Sequence, residues 1–118
     1  RLGAFLGSFS VVLGAFGAHY LKTRLSLEQL SSYQTAVSYQ FFHAIVLLFL
    51  PLLMARYPHS LLNLTAVFFT LGTFLFSGSI YMLLYFGGGR SLALMTPLGG
   101  SFLIIAWILL FISTWFIK

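Results

Sequence analysis

Cysteine is absent from the 118 residues, and the only side-chain carboxylate is Glu28. The first absence excludes disulfides, iron–sulfur clusters and thiol catalysis. The second excludes a paired acid and base of the carboxylate type, and with it most hydrolase mechanisms. Charge of either sign is scarce: 6% of the residues are Asp, Glu, Lys or Arg, against roughly 25% in a soluble domain. A water-facing surface cannot be covered from that supply. With 60% hydrophobic residues, the chain reads as an integral membrane protein.

The net charge of +5 does not point to nucleic acid. The cations Arg1, Lys22, Arg24, Arg56, Arg90 and Lys118 stand one or two at a time between apolar stretches, whereas a nucleic-acid surface clusters them on one face. Isolated cations flanking apolar runs are what anchoring at a bilayer surface requires. The chain opens on Arg1 rather than Met, which points to a longer parent chain. The run from Leu2 onward is longer than a signal-peptide core. Its glycines also recur at helix-packing spacing.

A hydrocarbon layer of ~30 Å needs about 20 apolar residues of helix. Four stretches meet that length, at about residues 2–21, 36–55, 61–85 and 97–117. The expected fold is therefore all-α: one transmembrane four-helix bundle made of two antiparallel hairpins, with both termini on one side. The sequence Ser26-Leu27-Glu28-Gln29 fits a capping box, flanked by Leu25 and Leu30 at the staple positions. This predicts that the second helix begins near residue 27, well before lipid depth, and projects into the interface. Thr96-Pro97 reads as the cap and first residue of the fourth helix. Gly87-Gly88-Gly89 reads as a flexible turn, because no Gly-Lys-Ser/Thr ending and no preceding strand accompany it.

Apolar burial does not drive helices together in lipid; close backbone approach and hydrogen bonds do. Span one carries Gly3, Gly7, Ser10, Gly14 and Gly17 at alternating spacings of four and three. Thr65, Gly72 and Ser79 recur every seven residues in span three, as do Gly99, Ala106 and Ser113 in span four. Tyr33, Ala36, Gln40 and His43 share a face of span two, with Ala44 beside it. These seams predict inward faces of small or polar residues, left-handed crossings near 20°, and phenylalanines mostly on the outside. Replacing Gly14 with Leu is expected to disrupt the bundle.

"YQFFHA", Tyr39 to Ala44, puts three polar side chains at membrane depth. Ionisable groups there are rare and often functional. One reading is a site for a lipid headgroup, quinone or haem, lined by His43, Gln40, Tyr39 and Ser77. The other, which we favour, is hydrogen bonding between helices, with Ser77 or Ser79 as the partner of His43. His19 ends span one as an interfacial residue. A bis-histidine haem would need His19 and His43 at matched depth, and the sequence offsets them. Two histidines with no third ligand do not make a metal site. Glu28 and Arg90 fall on the same side of the membrane and are candidates for an interfacial ion pair. Ser77-Gly78-Ser79 is not a nucleophile elbow, so no catalytic residue is assigned.

The blocks "LGAFGAH" (Leu13–His19), "TAVSYQFFHA" (Thr35–Ala44), "LFSGSIY" (Leu75–Tyr81), "TPLGG" (Thr96–Gly100) and "AW" (Ala106-Trp107) occur in one order along nearly the whole chain. Together they resemble the transmembrane protein 256 family, whose bacterial members form domain of unknown function 423. The resemblance implies four transmembrane helices, an inner-membrane location in bacteria and a mitochondrial one in animals. It brings no activity, substrate or cofactor. The partners expected are the bilayer and either a larger membrane complex or further copies of the chain. The flanking cations divide three and three between the two sides, so the positive-inside rule does not set the orientation. Both termini in the cytoplasm is the working expectation, which a C-terminal reporter would decide.

Overall fold

The computed structural model describes residues 1–87 and 89–116. Gly88, Ile117 and Lys118 lie outside the described residues. With them go the middle of the glycine turn, the end of the expected fourth span and one flanking cation. The described residues form α1 (Leu2–His19), a short 3₁₀ turn (Leu21–Thr23), α2 (Leu27–Arg56), α3 (Ser60–Phe86) and α4 (Arg90–Thr114). All four helices are long and apolar enough to cross a membrane.

The start of α2 follows from its first four residues. Ser26 is extended (φ −62°, ψ 163°), and its hydroxyl accepts from the Gln29 amide at 3.2 Å. The Gln29 side-chain oxygen accepts in return from the Ser26 amide at 3.0 Å. The 30 residues that follow extend about 45 Å, so α2 outruns the hydrocarbon, and Leu27 is left 89% exposed. Ser26→Ala is expected to cost about 1 kcal/mol. The loss should be local, read as faster hydrogen exchange at the first-turn amides while the deep part of α2 stays protected.

The start of α4 differs from the expectation. Helix begins at Arg90 rather than at Pro97, because Gly89 is extended and its carbonyl receives the amides of Leu92 and Ala93. Arg90 to Met95 contains good helix formers, and the helix continues through Pro97 at the cost of one backbone bond. Thr96 caps nothing; its hydroxyl lies 2.6 Å from that of Ser79 on α3. The preceding turn relies on Gly87, whose φ of 65° suits glycine, and its amide reaches back to Leu83 at 3.1 Å.

The helices pack in chain order: α1 on α2, α2 on α3 and α3 on α4. Among the described residues, no comparable interface joins α1 to α4. The cross-section is accordingly flattened, with Cα extents of 51 × 28 × 18 Å. Two lateral grooves result. One lies between α1 and α3 over α2, the other between α2 and α4 over α3.

The seams are the packing lines. Gly3, Ser10 and Gly17 on α1, Thr65, Gly72 and Ser79 on α3, and Gly99, Ala106 and Ser113 on α4 are all buried. On α2 the buried line is Tyr33, Ala36, Gln40, His43, Ala44, Leu47 and Leu50. Ten of the 14 phenylalanines are exposed, while Phe69 sits fully buried at the centre. Within the seams, the tight places are Gly3 and Gly99. A Cβ on Gly3 would lie 2.6 Å from the Leu48 nitrogen and 2.7 Å from the Ala44 oxygen. One on Gly99 would collide with the backbone of Leu75 and Phe76. At Gly72 it would meet the Leu103 side chain, and at Gly17 the Tyr33 ring. Gly14, where Leu is expected to disrupt the bundle, is not one of these tight places. It is only half-buried, flanking the contact line, and a Cβ there would stand 3.6 Å from Val37 Cγ1, an ordinary contact. Gly7 is similarly loose, 3.8 Å from the Ala44 methyl.

Candidate functional site

The polar residues of α2 lie on its buried line but point to different neighbours. Gln40 faces α1 and α3: its side-chain nitrogen donates to the Leu6 carbonyl at 3.0 Å, and its oxygen accepts from the Tyr81 hydroxyl at 3.1 Å. One amide thereby ties three helices together. About two turns toward the helix start, the Tyr33 hydroxyl donates to the Leu13 carbonyl at 2.7 Å. The Tyr33 and Tyr81 rings lie 5.6 Å apart. Ser77 donates to the Ala36 carbonyl at 2.8 Å. That close bond is possible because Ala36, fully buried, lets α3 approach the α2 backbone.

His43 faces the other way, toward α3 and α4. Its Nδ1 is 2.6 Å from the Tyr39 carbonyl. A carbonyl can only accept, so Nδ1 carries the proton and Nε2 the lone pair. The Trp107 indole N–H on α4 donates to that lone pair at 3.3 Å. One neutral tautomer satisfies both bonds. Phe69 (5.6 Å) and Trp107 (6.3 Å) surround the ring. Neither Ser77 nor Ser79 is the partner of His43: the first bonds to α2 backbone and the second to Thr96. The partner is Trp107, one residue beyond Ala106 in the α4 seam.

The other sequence-derived residues scatter. Tyr39 is 40% exposed and stacks on Phe76 at 4.6 Å. It borders the inward face rather than belonging to it, because position 39 is rotated about 100° from position 40. His43, Gln40, Tyr39 and Ser77 therefore do not line one pocket. His43 and Tyr39 border the α2/α4 groove, a space of ≈ 500 Å³ that also includes Phe76, Gly100 and Trp107, while Gln40 and Ser77 are absent from its lining. His19 is exposed at the end of α1. Gly17 packs on Tyr33, and His43 lies ten residues farther along α2, about 15 Å. That offset prevents the two histidines from flanking one haem. Glu28 and Arg90 are both exposed, each at the start of a helix.

Most seam hydroxyls do not cross between helices. Ser10, Thr65, Thr73 and Ser113 each donate to a carbonyl four residues back on their own helix, at 2.7–2.8 Å. This settles the hydroxyl locally and leaves a compact, apolar outer shape for packing. Among the described residues, no buried side-chain nitrogen or oxygen lacks a partner. No group of three His, Cys, Asp or Glu could hold a metal ion among them either.

A second space lies in the α1/α3 groove. It measures ≈ 320 Å³ and is lined by Leu13, Phe16, Leu21, Leu25, Tyr33, Tyr81 and neighbouring residues at the end of α3. The sequence gives little sign of it. The leucines of the first connection read only as staple and turn residues, and the lining comes from segments about 60 residues apart.

Residues 13–100 match the profile of the family described as Protein of unknown function (DUF423). The chain is 37% identical over 110 residues to the UPF0382 inner membrane protein YgdD of Escherichia coli (strain K12), covering 93% of this chain and 83% of that protein. It is 37% identical over 113 residues to the UPF0382 membrane protein SH2409 of Staphylococcus haemolyticus, covering 96% and 91%. It is 38% identical over 107 residues to a UPF0382 membrane protein of Haemophilus influenzae, covering 91% and 85%. No solved structure matches.

Proposed function

The chain belongs to the DUF423 family of membrane proteins, and from that premise we propose that it works without catalysis, as a lipid-interacting or accessory component of the inner membrane. One observation carries this reading. Among the described residues, the buried polar side chains are already satisfied by the chain itself. A catalytic or polar ligand site presents titratable or donor groups converging on an open space. Here Gln40 is spent on Leu6 and Tyr81, and His43 on Tyr39 and Trp107. What the surface offers instead is apolar grooves between helices that pack in a row.

A second reading is favoured by the α2/α4 groove. A small hydrophobic ligand such as a quinone, lipid or haem could lie against Tyr39, His43 and Trp107. Gentle purification followed by native mass spectrometry separates the two. Stoichiometric co-purifying subunits, or a membrane lipid whose retention does not depend on His43, support the first reading. His43→Ala is expected to cost about 1–3 kcal/mol, because it removes a buried ring and strands the Trp107 donor. On the first reading that loss comes with no change in what co-purifies. Loss of a quinone, or of a haem absorbance band, in His43→Ala would establish the second.

A further inference from the structure

The α1/α3 cavity has three properties that together select a ligand. Its walls are hydrocarbon or aromatic ring. Of its three phenols, the two inner ones donate within the chain, Tyr33 to the Leu13 carbonyl and Tyr81 to Gln40, while Tyr85 is 83% exposed at the end of α3, so the interior has no free phenol donor and the one unengaged hydroxyl lies at the rim. It also lies at one end of the bundle: it runs from Leu13 to Leu21 and Leu25 at the first connection, eight residues of α1 and turn, or about 12 Å.

The chain at its mouth is amphipathic. Leu21 and Leu25 are half-buried and line the cavity, whereas Lys22, Thr23 and Arg24 between them are exposed. The Arg24 guanidinium lies 4.3 Å over the Tyr20 ring. That stacking fixes its plane and leaves its N–H edges open to a planar or tetrahedral anion. Including Arg90 at the neighbouring connection, three cations face one acid, Glu28, at this end of the bundle. The α2/α4 groove lacks this combination, since its lining has no Lys, Arg, Asp or Glu.

We propose that this cavity holds one acyl chain of an anionic phospholipid from the surrounding bilayer, with the lipid phosphate at Lys22 and Arg24. The proposal rests on the lipid-interacting reading above and assigns it a site. The bilayer supplies the ligand laterally, through the open side between α1 and α3. Lys22 and Arg24 select for headgroup charge, and the leucines and phenol rings accept the tail.

The test uses the full chain in nanodiscs of equal parts phosphatidylglycerol and phosphatidylcholine, followed by detergent extraction and native mass spectrometry. The wild type is expected to retain one phosphatidylglycerol in preference to phosphatidylcholine. K22Q/R24Q, which removes both charges and, of the packing, only the exposed Arg24–Tyr20 stacking, is expected to lose that preference by about fivefold per cation, the usual worth of a Lys or Arg at an anionic membrane surface. Leu13→Phe, which fills the cavity, is expected to lower retention of both lipids at an unchanged melting temperature. Equal retention of the two lipids by the wild type overturns the proposal. So does an unaltered preference in K22Q/R24Q, or retention of a free fatty acid in place of phospholipid. If the wild type keeps lipid that the variants do not release, this site is wrong and the lipid-interacting reading stands. If the wild type sheds all lipid, both fall.

Discussion

Gly99→Ala is expected to destabilise the bundle by about 3 kcal/mol or more, the upper end of what overpacking costs, and Gly99→Leu to leave no folded protein in mild detergent. The reason is what the added atom would strike. At Gly99 it is the Leu75–Phe76 backbone of α3, and backbone inside a helix cannot rotate aside. The only relief is to push α4 away from α3, and that separates Gly72 from Leu103 and Ser79 from Thr96 on the same interface. Gly14→Ala is the control. Its Cβ would stand 3.6 Å from Val37, and replacing a mid-helix glycine by alanine gains up to about 1 kcal/mol of helix propensity. It should be neutral or mildly stabilising. Melting in detergent, followed by size-exclusion chromatography, reads both. Equal effects at the two positions would mean that the α3/α4 approach is looser than described.

That contrast marks what the sequence reveals and what it hides. Every residue that heptad spacing names on α3 and α4 is buried, because any helix pair in lipid needs small or hydroxyl residues where backbones meet; the larger buried residues beside them, such as Leu62, Phe69 and Leu103, carry no such signal. On α2, Tyr33, Ala36, Gln40, His43 and Ala44 are all buried as the pattern predicts. Spacing does not say how close the approach is. Gly3, Gly14 and Gly17 share one stripe, yet only Gly3 and Gly17 press on their neighbours. The start of α4 was obscured by a strong local signal, since Thr-Pro imitates a helix cap, while Gly89 supplies the real one. The partner of His43 was hidden for a different reason. A hydroxyl at seam spacing suggests a bond between helices, but serine and threonine can reach their own i−4 carbonyl, and Ser10, Thr65, Thr73 and Ser113 do so. The long-range bonds fall instead to side chains with reach: Gln40, Tyr33, Tyr81 and Trp107. Neither groove was legible, because each depends on α1 and α4 failing to close a square.

Gln40→Leu is expected to cost about 1–3 kcal/mol, the sum of two interhelical hydrogen bonds at roughly 0.6 to 1.7 kcal/mol each. The substitution keeps a similar volume, so the loss reports the bonds rather than a cavity. Its consequences reach both neighbours. The Tyr81 hydroxyl loses its acceptor. The Leu6 carbonyl keeps the donors of its own helix, where Ser10 Oγ already donates to it at 2.7 Å. Leu6 is thus better provided for than Tyr81, and most of the cost should fall on the α2/α3 side. A double-mutant cycle with Tyr81→Phe isolates that share and should return a coupling of about 0.6 kcal/mol, at most about 1.7. Ser10→Ala, which removes a bond within α1 only, should change stability by less than about 0.5 kcal/mol. Unfolding in mixed detergent, followed by circular dichroism, measures all four variants. A zero coupling between Gln40 and Tyr81 would show that this layer is solvated or rearranged, and that three helices are not joined at Gln40. A large coupling together with an inert Ser10 would place the polar layer, rather than the hydroxyl seams, as what fixes α1, α2 and α3 in register.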